Sequence, residues 1–221
     1  MKNLAEVVFI LDRSGSMHGL ESDTIGGFNS MLEKQKRNDG EALVSTILFD
    51  NDSRVIHNRV PIKEVKPMTR KDYRVKGCTA LLDAVGNAIS HIVNMHKNMS
   101  DDLRPTSTLF VIITDGMENA STKYSYTKVK NMIKKQQEKY SWEFIFLGAN
   151  IDAIKVADRI GIHKNRAANY HADSIGTKKN FEAVSLAVDC CLCACEIPVH
   201  WKDDIDEDYK NRKDELPPWY R

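Results

Sequence analysis

The chain has 221 residues, of which 42% are hydrophobic and 29% are charged, and its formal net charge at pH 7 is +1. This length suits one fairly large domain with a substantial core. The nearly balanced charge excludes the general electrostatic attraction that binds strongly basic proteins to nucleic acid or to anionic membranes, so we expect neither as a partner.

The distribution of apolar residues and cysteines predicts a cytoplasmic protein. The apolar run near the N-terminus is short, is broken by Glu6 and ends at Asp12 without a cleavage site of small residues, so it does not resemble a signal peptide. The longest apolar run, at 184–195, contains Asp189 and is shorter than the roughly 20 residues of a membrane helix. An odd number of cysteines, four of them crowded together, indicates reduced thiols; they are Cys78, Cys190, Cys191, Cys193 and Cys195.

Five short runs rich in β-branched and aromatic residues predict strands. They lie at 6–12, 42–50, 53–60, 107–115 and 142–149. Three of them are almost continuously apolar, which is typical of parallel strands covered on both faces. Only two residues separate the second run from the third, so this pair predicts an antiparallel hairpin whose outer strand carries Arg54, His57 and Arg59 as a polar edge.

Segments with helical periodicity alternate with these strands. They lie at 23–37, 79–99, 125–140, 151–162 and 176–196. We expect His91 and His96 on the solvated face of the second helix. The alternation predicts an α/β fold: an open, mostly parallel, doubly wound sheet with one antiparallel edge strand and helices on both faces. We assign residues 1–196 to this domain and 197–221 to a polar C-terminal extension.

Oxygen-bearing side chains follow two of the predicted strands. Asp12 ends the first, with Ser14 and Ser16 on alternate positions behind it, and Asp115 ends the fourth. In open α/β sheets, ligands bind beyond the carboxyl ends of the strands. Such residues could cap helices, begin a phosphoryl-transfer site, or hold Mg²⁺, which takes six oxygens at about 2.1 Å and usually only one or two carboxylates.

Three segments resemble, in order, the metal ion-dependent adhesion site (MIDAS) of von Willebrand factor A-like domains. They are the Asp12-x-Ser14-x-Ser16 turn, "GCTALLDA" with Thr79, and "ITDG" with Asp115. The order of strands and helices is similar too, and the resemblance covers roughly residues 4–195. It implies a von Willebrand factor A, Rossmann-like fold with a complete MIDAS.

The resemblance also implies roles for these residues. Ser14 and Ser16 would contact the cation directly, Thr79 directly or through water, and Asp12 and Asp115 largely through water and hydrogen bonds. The cation would be Mg²⁺, with Mn²⁺ or Ca²⁺ as alternatives, and it would accept a Glu or Asp side chain from a partner protein. The implied function is cation-dependent protein binding without catalysis.

Two other functions remain open on the residues. A Mg²⁺-dependent phosphatase or phosphotransferase, similar to haloacid dehalogenase-like enzymes, would use Asp12 as nucleophile, but it needs a second acid two residues later, where this chain has Ser14. A scaffold with a purely structural metal is the other alternative.

The cysteines offer weaker signals. A zinc site among Cys190–Cys195 and His200 is disfavoured, because structural zinc sites usually draw their ligands from two separated pairs. We expect Cys78 to be a packing residue, since Lys76 is the only nearby residue in sequence that would make its thiol more reactive.

Overall fold

The structure, a computed structural model, describes residues 3–212. A six-stranded sheet forms its centre. The strands are β1 (Leu4–Asp12), β2 (Glu41–Phe49), β3 (Ser53–Pro61), β4 (Ser107–Thr114), β5 (Glu143–Gly148) and β6 (Ala167–Asn169). Their spatial order is β3-β2-β1-β4-β5-β6, and every neighbouring pair is parallel except β2 and β3. The predicted fold class, including the antiparallel edge strand, is therefore confirmed.

Helices cover both faces of the sheet. They are α1 (Glu21–Gln35), α2 (Leu81–Lys97), α3 (Tyr126–Tyr140), α4 (Ala153–Arg159), α5 (Ser174–Leu192) and α6 (Asp203–Asn211). Side chains at helix starts help to fix these bounds: Ser125 and Asp173 accept hydrogen bonds from backbone N–H groups in the first turns of α3 and α5.

The first strand shows why its sequence is apolar without alternation. Val7, Phe9 and Leu11 contribute to one hydrophobic cluster, which also contains side chains of α1 and α5. Val8 and Ile10 contribute to the other, which contains side chains of α2, α3 and α4. Since successive strand residues face opposite sides, both faces of β1 are buried. The amino and carboxyl ends of the strand lie at the two ends of the sheet.

Two elements had no counterpart among the predicted ones. Strand β6 has only three residues, and it pairs with β5 at the far edge of the sheet. Helix α6 lies within the polar segment that follows residue 196, and that segment also contributes Ile197, Trp201 and Ile205 to the core. The remainder of the predicted extension, 213–221, lies outside the described residues.

Two histidines are less solvated than the sequence suggested. His96 was expected on a wet helix face, and this prediction is wrong: the residue is buried, and its Nε2 lies 3.2 Å from Glu6 Oε2. His57 on the edge strand is also buried, with its Nδ1 3.0 Å from Thr46 Oγ1 and its ring parallel to that of Phe28. His91 is half-buried and contacts Asn58.

Candidate metal centre

The candidate site lies where the strand order reverses direction. From β1 the chain proceeds to β2 on one side, and β4, on the other side of β1, starts the half that leads to β5 and β6. Asp12 ends β1, and Asp115 directly follows β4, its parallel neighbour. Crevices at such switch points are the usual ligand sites of open α/β sheets, and the fold places both aspartates there.

Asp12 organises the turn that follows it. Its Oδ1 accepts a hydrogen bond from the Ser14 backbone N–H at 2.7 Å, and its Oδ2 accepts one from Thr114 Oγ1 at 2.5 Å. The buried Tyr73 hydroxyl donates to the Asp12 carbonyl oxygen. Both carboxylate oxygens of Asp12 are thus engaged with the protein, which fixes the exit angle of β1 and the direction of the Ser14 side chain.

Three hydroxyl groups and one carboxylate form a continuous chain of contacts. Thr79 Oγ1 lies 3.1 Å from Ser14 Oγ, which lies 3.1 Å from Ser16 Oγ. Ser16 Oγ donates to Asp115 Oδ1 at 2.6 Å. The structure therefore brings all five predicted residues together, although they come from three separate segments of the chain.

Thr79 is positioned by backbone contacts with the neighbouring loops. Its N–H donates to Asn119 Oδ1 at 2.9 Å, and its carbonyl accepts from the Asn119 N–H at 3.1 Å. Gly77, which precedes it by two residues, accepts from the Gly15 N–H at 3.0 Å and has a φ of +72°. A side chain at Gly77 would also collide with Asn51, since its Cβ would lie 2.2 Å from Asn51 Oδ1.

Space is kept open above the hydroxyl groups. A Cβ atom at Gly116 would lie 3.1 Å from both Ser16 Oγ and Thr79 Oγ1. Glycine at this position therefore leaves room beside the hydroxyl groups of Ser16 and Thr79. Ser16 is exposed, whereas Ser14 is buried with 1% of its surface accessible.

Two buried carboxylates share this edge without a side-chain cation. Burial raises the pKa of Asp12, and it raises the pKa of Asp115 to about 6, with the negative charge of Asp12 acting in the same direction. Within residues 3–212, neither aspartate forms an ion pair with lysine, arginine or histidine. Asp115 Oδ2 is buried and accepts no hydrogen bond from a described residue. A dication would balance both charges and give this oxygen a partner.

The donor set is that of a hard cation. In the described part of the chain, no group of three or more His, Cys, Asp or Glu side chains is arranged to hold a metal ion. The candidate site consists instead of three hydroxyls and two carboxylates, and hard cations such as Mg²⁺ take oxygen ligands. The residues present therefore fit Mg²⁺ or a similar ion.

The cysteines take no part in this constellation. Cys78 is exposed beside Thr79, so our expectation that it packs in the interior is wrong. In the other group, Cys191 is buried, Cys190 is half-buried, and Cys193 and Cys195 are exposed.

Sequence reasoning missed three residues that support the site, namely Tyr73, Thr114 and Asn119. Thr114 had a local signal, because it directly precedes Asp115 in the third segment of the motif. Tyr73 and Asn119 had none: they contact Asp12 and Thr79 across 61 and 40 residues of sequence.

None of the helices between residues 3 and 212 is both long enough and apolar enough to cross a membrane.

Comparisons with known proteins place this geometry in context. No family model and no curated protein matches the chain. Among solved structures, the PilB minor pilin from Streptococcus sanguinis is similar with a TM-score of 0.58 and 13% identity, over 86% of this chain and 62% of that one. A von Willebrand factor type A structure from Catenulispora acidiphila has a TM-score of 0.55 and 14% identity, over 83% of this chain and 42% of the other.

Proximal thread matrix protein 1 from the mussel byssus, in a structure with a zinc-occupied MIDAS motif, has a TM-score of 0.58 and 12% identity, over 86% of this chain and 46% of that one. The chain thus spans less than two thirds of the length of each of these structures, at 42–62%. At this level of identity the likeness establishes the fold alone, which is that of a von Willebrand factor A, Rossmann-like domain.

Proposed function

We propose that the chain is a divalent-cation-dependent protein-binding module and that its carboxyl edge is a complete metal ion-dependent adhesion site. Ser14, Ser16, Thr79, Asp12 and Asp115 would hold the cation, with Mg²⁺ as the expected ion and Mn²⁺ or Ca²⁺ as alternatives. The partner is a protein that offers a Glu or Asp side chain.

One observation carries this proposal: the hydroxyls of Ser14, Ser16 and Thr79 and the carboxylate of Asp115 form one contact chain, at 2.6–3.1 Å. Beside it lies a buried Asp115 oxygen that has no hydrogen-bond partner in the described part of the chain. When bound, the cation would supply a positive centre that accepts the carboxylate of the partner. The chain itself would position that cation through Asp12 and Thr114 and keep its outer side open at Gly116.

The likeness to a structure with a zinc-occupied MIDAS motif supports a divalent cation in this fold. Hard oxygen donors favour Mg²⁺ over zinc at the present site, because zinc in proteins is bound mostly by cysteine and histidine.

The enzyme alternative finds less support in the geometry. Haloacid dehalogenase-like chemistry needs a general acid two residues after the nucleophile. Ser14 occupies this position, and among the described residues its hydroxyl has hydrogen-bond contacts with Ser16 and Thr79, neither of which is an acid or a base. Asp12 itself is engaged through both carboxylate oxygens with Ser14 and Thr114, so it is poorly placed as a nucleophile. We propose that the chain is not an enzyme.

Calorimetry with Mg²⁺ alone, followed by affinity capture of partners with and without Mg²⁺, tests the proposed function. We expect the wild type to bind one Mg²⁺, and Ser14→Ala/Ser16→Ala and Asp115→Ala to bind it much more weakly. Ser100→Ala is the matched control, because Ser100 is exposed and its side chain caps no helix.

Three outcomes would overturn the proposal. Equal Mg²⁺ binding by the double serine variant would refute the ligand assignment. Capture that persists after chelation would refute cation-dependent binding. Hydrolysis of a generic phosphomonoester that disappears in Asp12→Asn would establish the enzyme alternative instead, whereas unfolding on chelation without any partner would favour the structural scaffold.

A cytoplasmic location belongs to the same proposal. Its support is that all five cysteines are free, including those close together in sequence at 190–195. Cell fractionation with thiol labelling tests it, and oxidised thiols in a secreted fraction would contradict it.

A further inference from the structure

A surface rich in cations lies directly beside the candidate cation site, and we infer that it selects partners whose metal-binding carboxylate belongs to a cluster of acidic residues. The basic surface, as we define it, consists of Arg13, Arg54, Lys71, Arg74 and Lys76. This inference rests on the proposed function, since it concerns the partner of the same site.

The basic surface is one continuous feature, not a scatter of charges. Its five residues and Asp72 line a single surface cavity of about 550 Å³. Backbone bonds attach it to the site: the Lys76 N–H donates to the Arg13 carbonyl at 2.9 Å, and the Gly15 N–H donates to the Gly77 carbonyl at 3.0 Å. The loop that carries Lys76 is thus bonded to the loop that carries Ser14.

Most of the positive charge on this surface is not neutralised by the protein. Arg13 is buried and pairs with Asp50 at 3.0 Å, and Arg54 lies 3.8 Å from Asp72. Lys71, Arg74 and Lys76 are exposed. Among residues 3–212, no carboxylate lies within ion-pair distance of these three. The surface therefore carries a surplus of positive charge, although the net charge of the whole chain is only +1.

The surplus charge lies on one flank of the site. Arg54 is on β3, the outer strand on the β2 side, and Arg13 packs against Asp50 at the end of β2. On the opposite flank, the loop directly after β4 exposes Met117, with 70% of its surface accessible, and the uncharged Asn119. A carboxylate held at the metal would thus have the basic surface on its β2 side, which favours a partner segment with further acidic residues in that direction.

An acidic protein segment fits this surface better than a nucleic acid. None of the six residues that line the cavity is aromatic, so no base could stack there. Three exposed cations around one cavity are suited to attract several carboxylates and to speed their association.

Fluorescence anisotropy with a labelled octaglutamate peptide, in the presence of Mg²⁺ and at low ionic strength, tests the inference. Since exposed charge pairs contribute modestly one by one, reversal of two charges in Lys71→Glu/Arg74→Glu should weaken binding about ten-fold. The loss should shrink as salt is added. The matched control is Lys134→Glu/Lys135→Glu, which makes the same change of charge in the second half of α3, away from the carboxyl edge.

Each result decides between definite alternatives. An equal loss in the two double variants, or no loss in Lys71→Glu/Arg74→Glu, would overturn the inference. Tighter binding of an oligothymidylate of the same charge would overturn the acidic-protein assignment. The Ser14→Ala/Ser16→Ala variant separates this inference from the proposed function: if it binds octaglutamate as the wild type does while charge reversal weakens binding, the basic surface stands and the metal-dependent function fails.

Discussion

Strand β1 carries a buried acid at each end, and the two acids differ in the charge of the side chains that contact them. Glu6, near the amino end, is fully buried, and its Oε2 lies 2.8 Å from Arg59 Nη2 and 3.2 Å from His96 Nε2. Asp12, at the carboxyl end, is 1% exposed and receives hydrogen bonds from the neutral donors Ser14 and Thr114. Between residues 3 and 212, no cationic side chain pairs with Asp12 or with Asp115 beside it.

A charge removed from water needs an opposite charge and hydrogen bonds nearby. Because the amino end supplies its own cation in Arg59, Glu6 belongs to the framework of the fold. At the carboxyl end the described residues supply hydroxyls and no cation, and the proposed ion from solution would compensate the two carboxylates there. The difference teaches that a buried acid without a compensating charge among the described residues is a candidate for a binding site.

The largest effect is expected where the internal cation is removed. Arg59→Met leaves Glu6 with His96 alone, and breaking a buried pair in this way should lower the free energy of unfolding by about 3–5 kcal/mol. Urea denaturation measures it. The double variant Glu6→Gln/Arg59→Met should recover part of the loss, because no buried charge remains; equal losses in both variants would contradict the assigned pairing.

The carboxyl end should gain stability from an external cation. Mg²⁺ at a concentration of one hundred times its dissociation constant should raise the free energy of unfolding of the wild type by about 2.7 kcal/mol. Asp115→Asn should abolish this increase, because the amide lacks the negative charge, whereas Glu6→Gln/Arg59→Met should retain it. Thermal denaturation with and without Mg²⁺ gives both values, and an undiminished increase in Asp115→Asn would exclude that residue as part of the site.

Removal of the neutral donor to Asp12 should have an intermediate effect. Thr114→Val keeps the shape of the side chain but deprives Asp12 Oδ2 of its hydrogen bond at 2.5 Å. Since hydrogen bonds to charged groups contribute about 1.5–3 kcal/mol, we expect a loss of about 2 kcal/mol in metal-free protein. Thr114→Ser is the control, as it keeps the donor; if it lost as much as Thr114→Val, the hydroxyl would not be the stabilising group.

The smallest difference should separate the two serines of the turn. Ser14→Ala should lower stability by about 1 kcal/mol, because the buried hydroxyl contacts both Ser16 and Thr79. Ser16→Ala should lower it less, since Ser16 is exposed. Both variants should weaken Mg²⁺ binding in calorimetry. Intact Mg²⁺ binding in Ser16→Ala would remove that residue from the proposed ligand set.

Prediction from sequence succeeded where the signal is local. The apolar runs that became β1, β4 and β5 are short and strongly patterned; Asp12 ends the first of these strands, and Asp115 directly follows the second. It failed where a residue's surroundings come from distant parts of the chain. His96 was placed in solvent because its helix position alone suggested it, yet it contacts Glu6 across 90 residues of sequence. Helix α6 was missed because its segment is highly charged, and the burial of Trp201 and Ile205 could not be recognised from such a sequence.

The sequence by itself determined the class of fold, the carboxyl ends of the strands at which the oxygen-bearing residues gather, and the absence of a general acid at position 14. These follow from periodicity and from the identity of single residues, which need no partner to be read. Only the tertiary structure decided which buried acids are compensated, because compensation is a matter of distance between side chains far apart in the chain. Glu6 and Asp12 look alike in sequence, as acids at the two ends of one apolar run. Only packing brings Arg59 to the first and gives the second the Ser14 N–H and the Thr114 hydroxyl as donors.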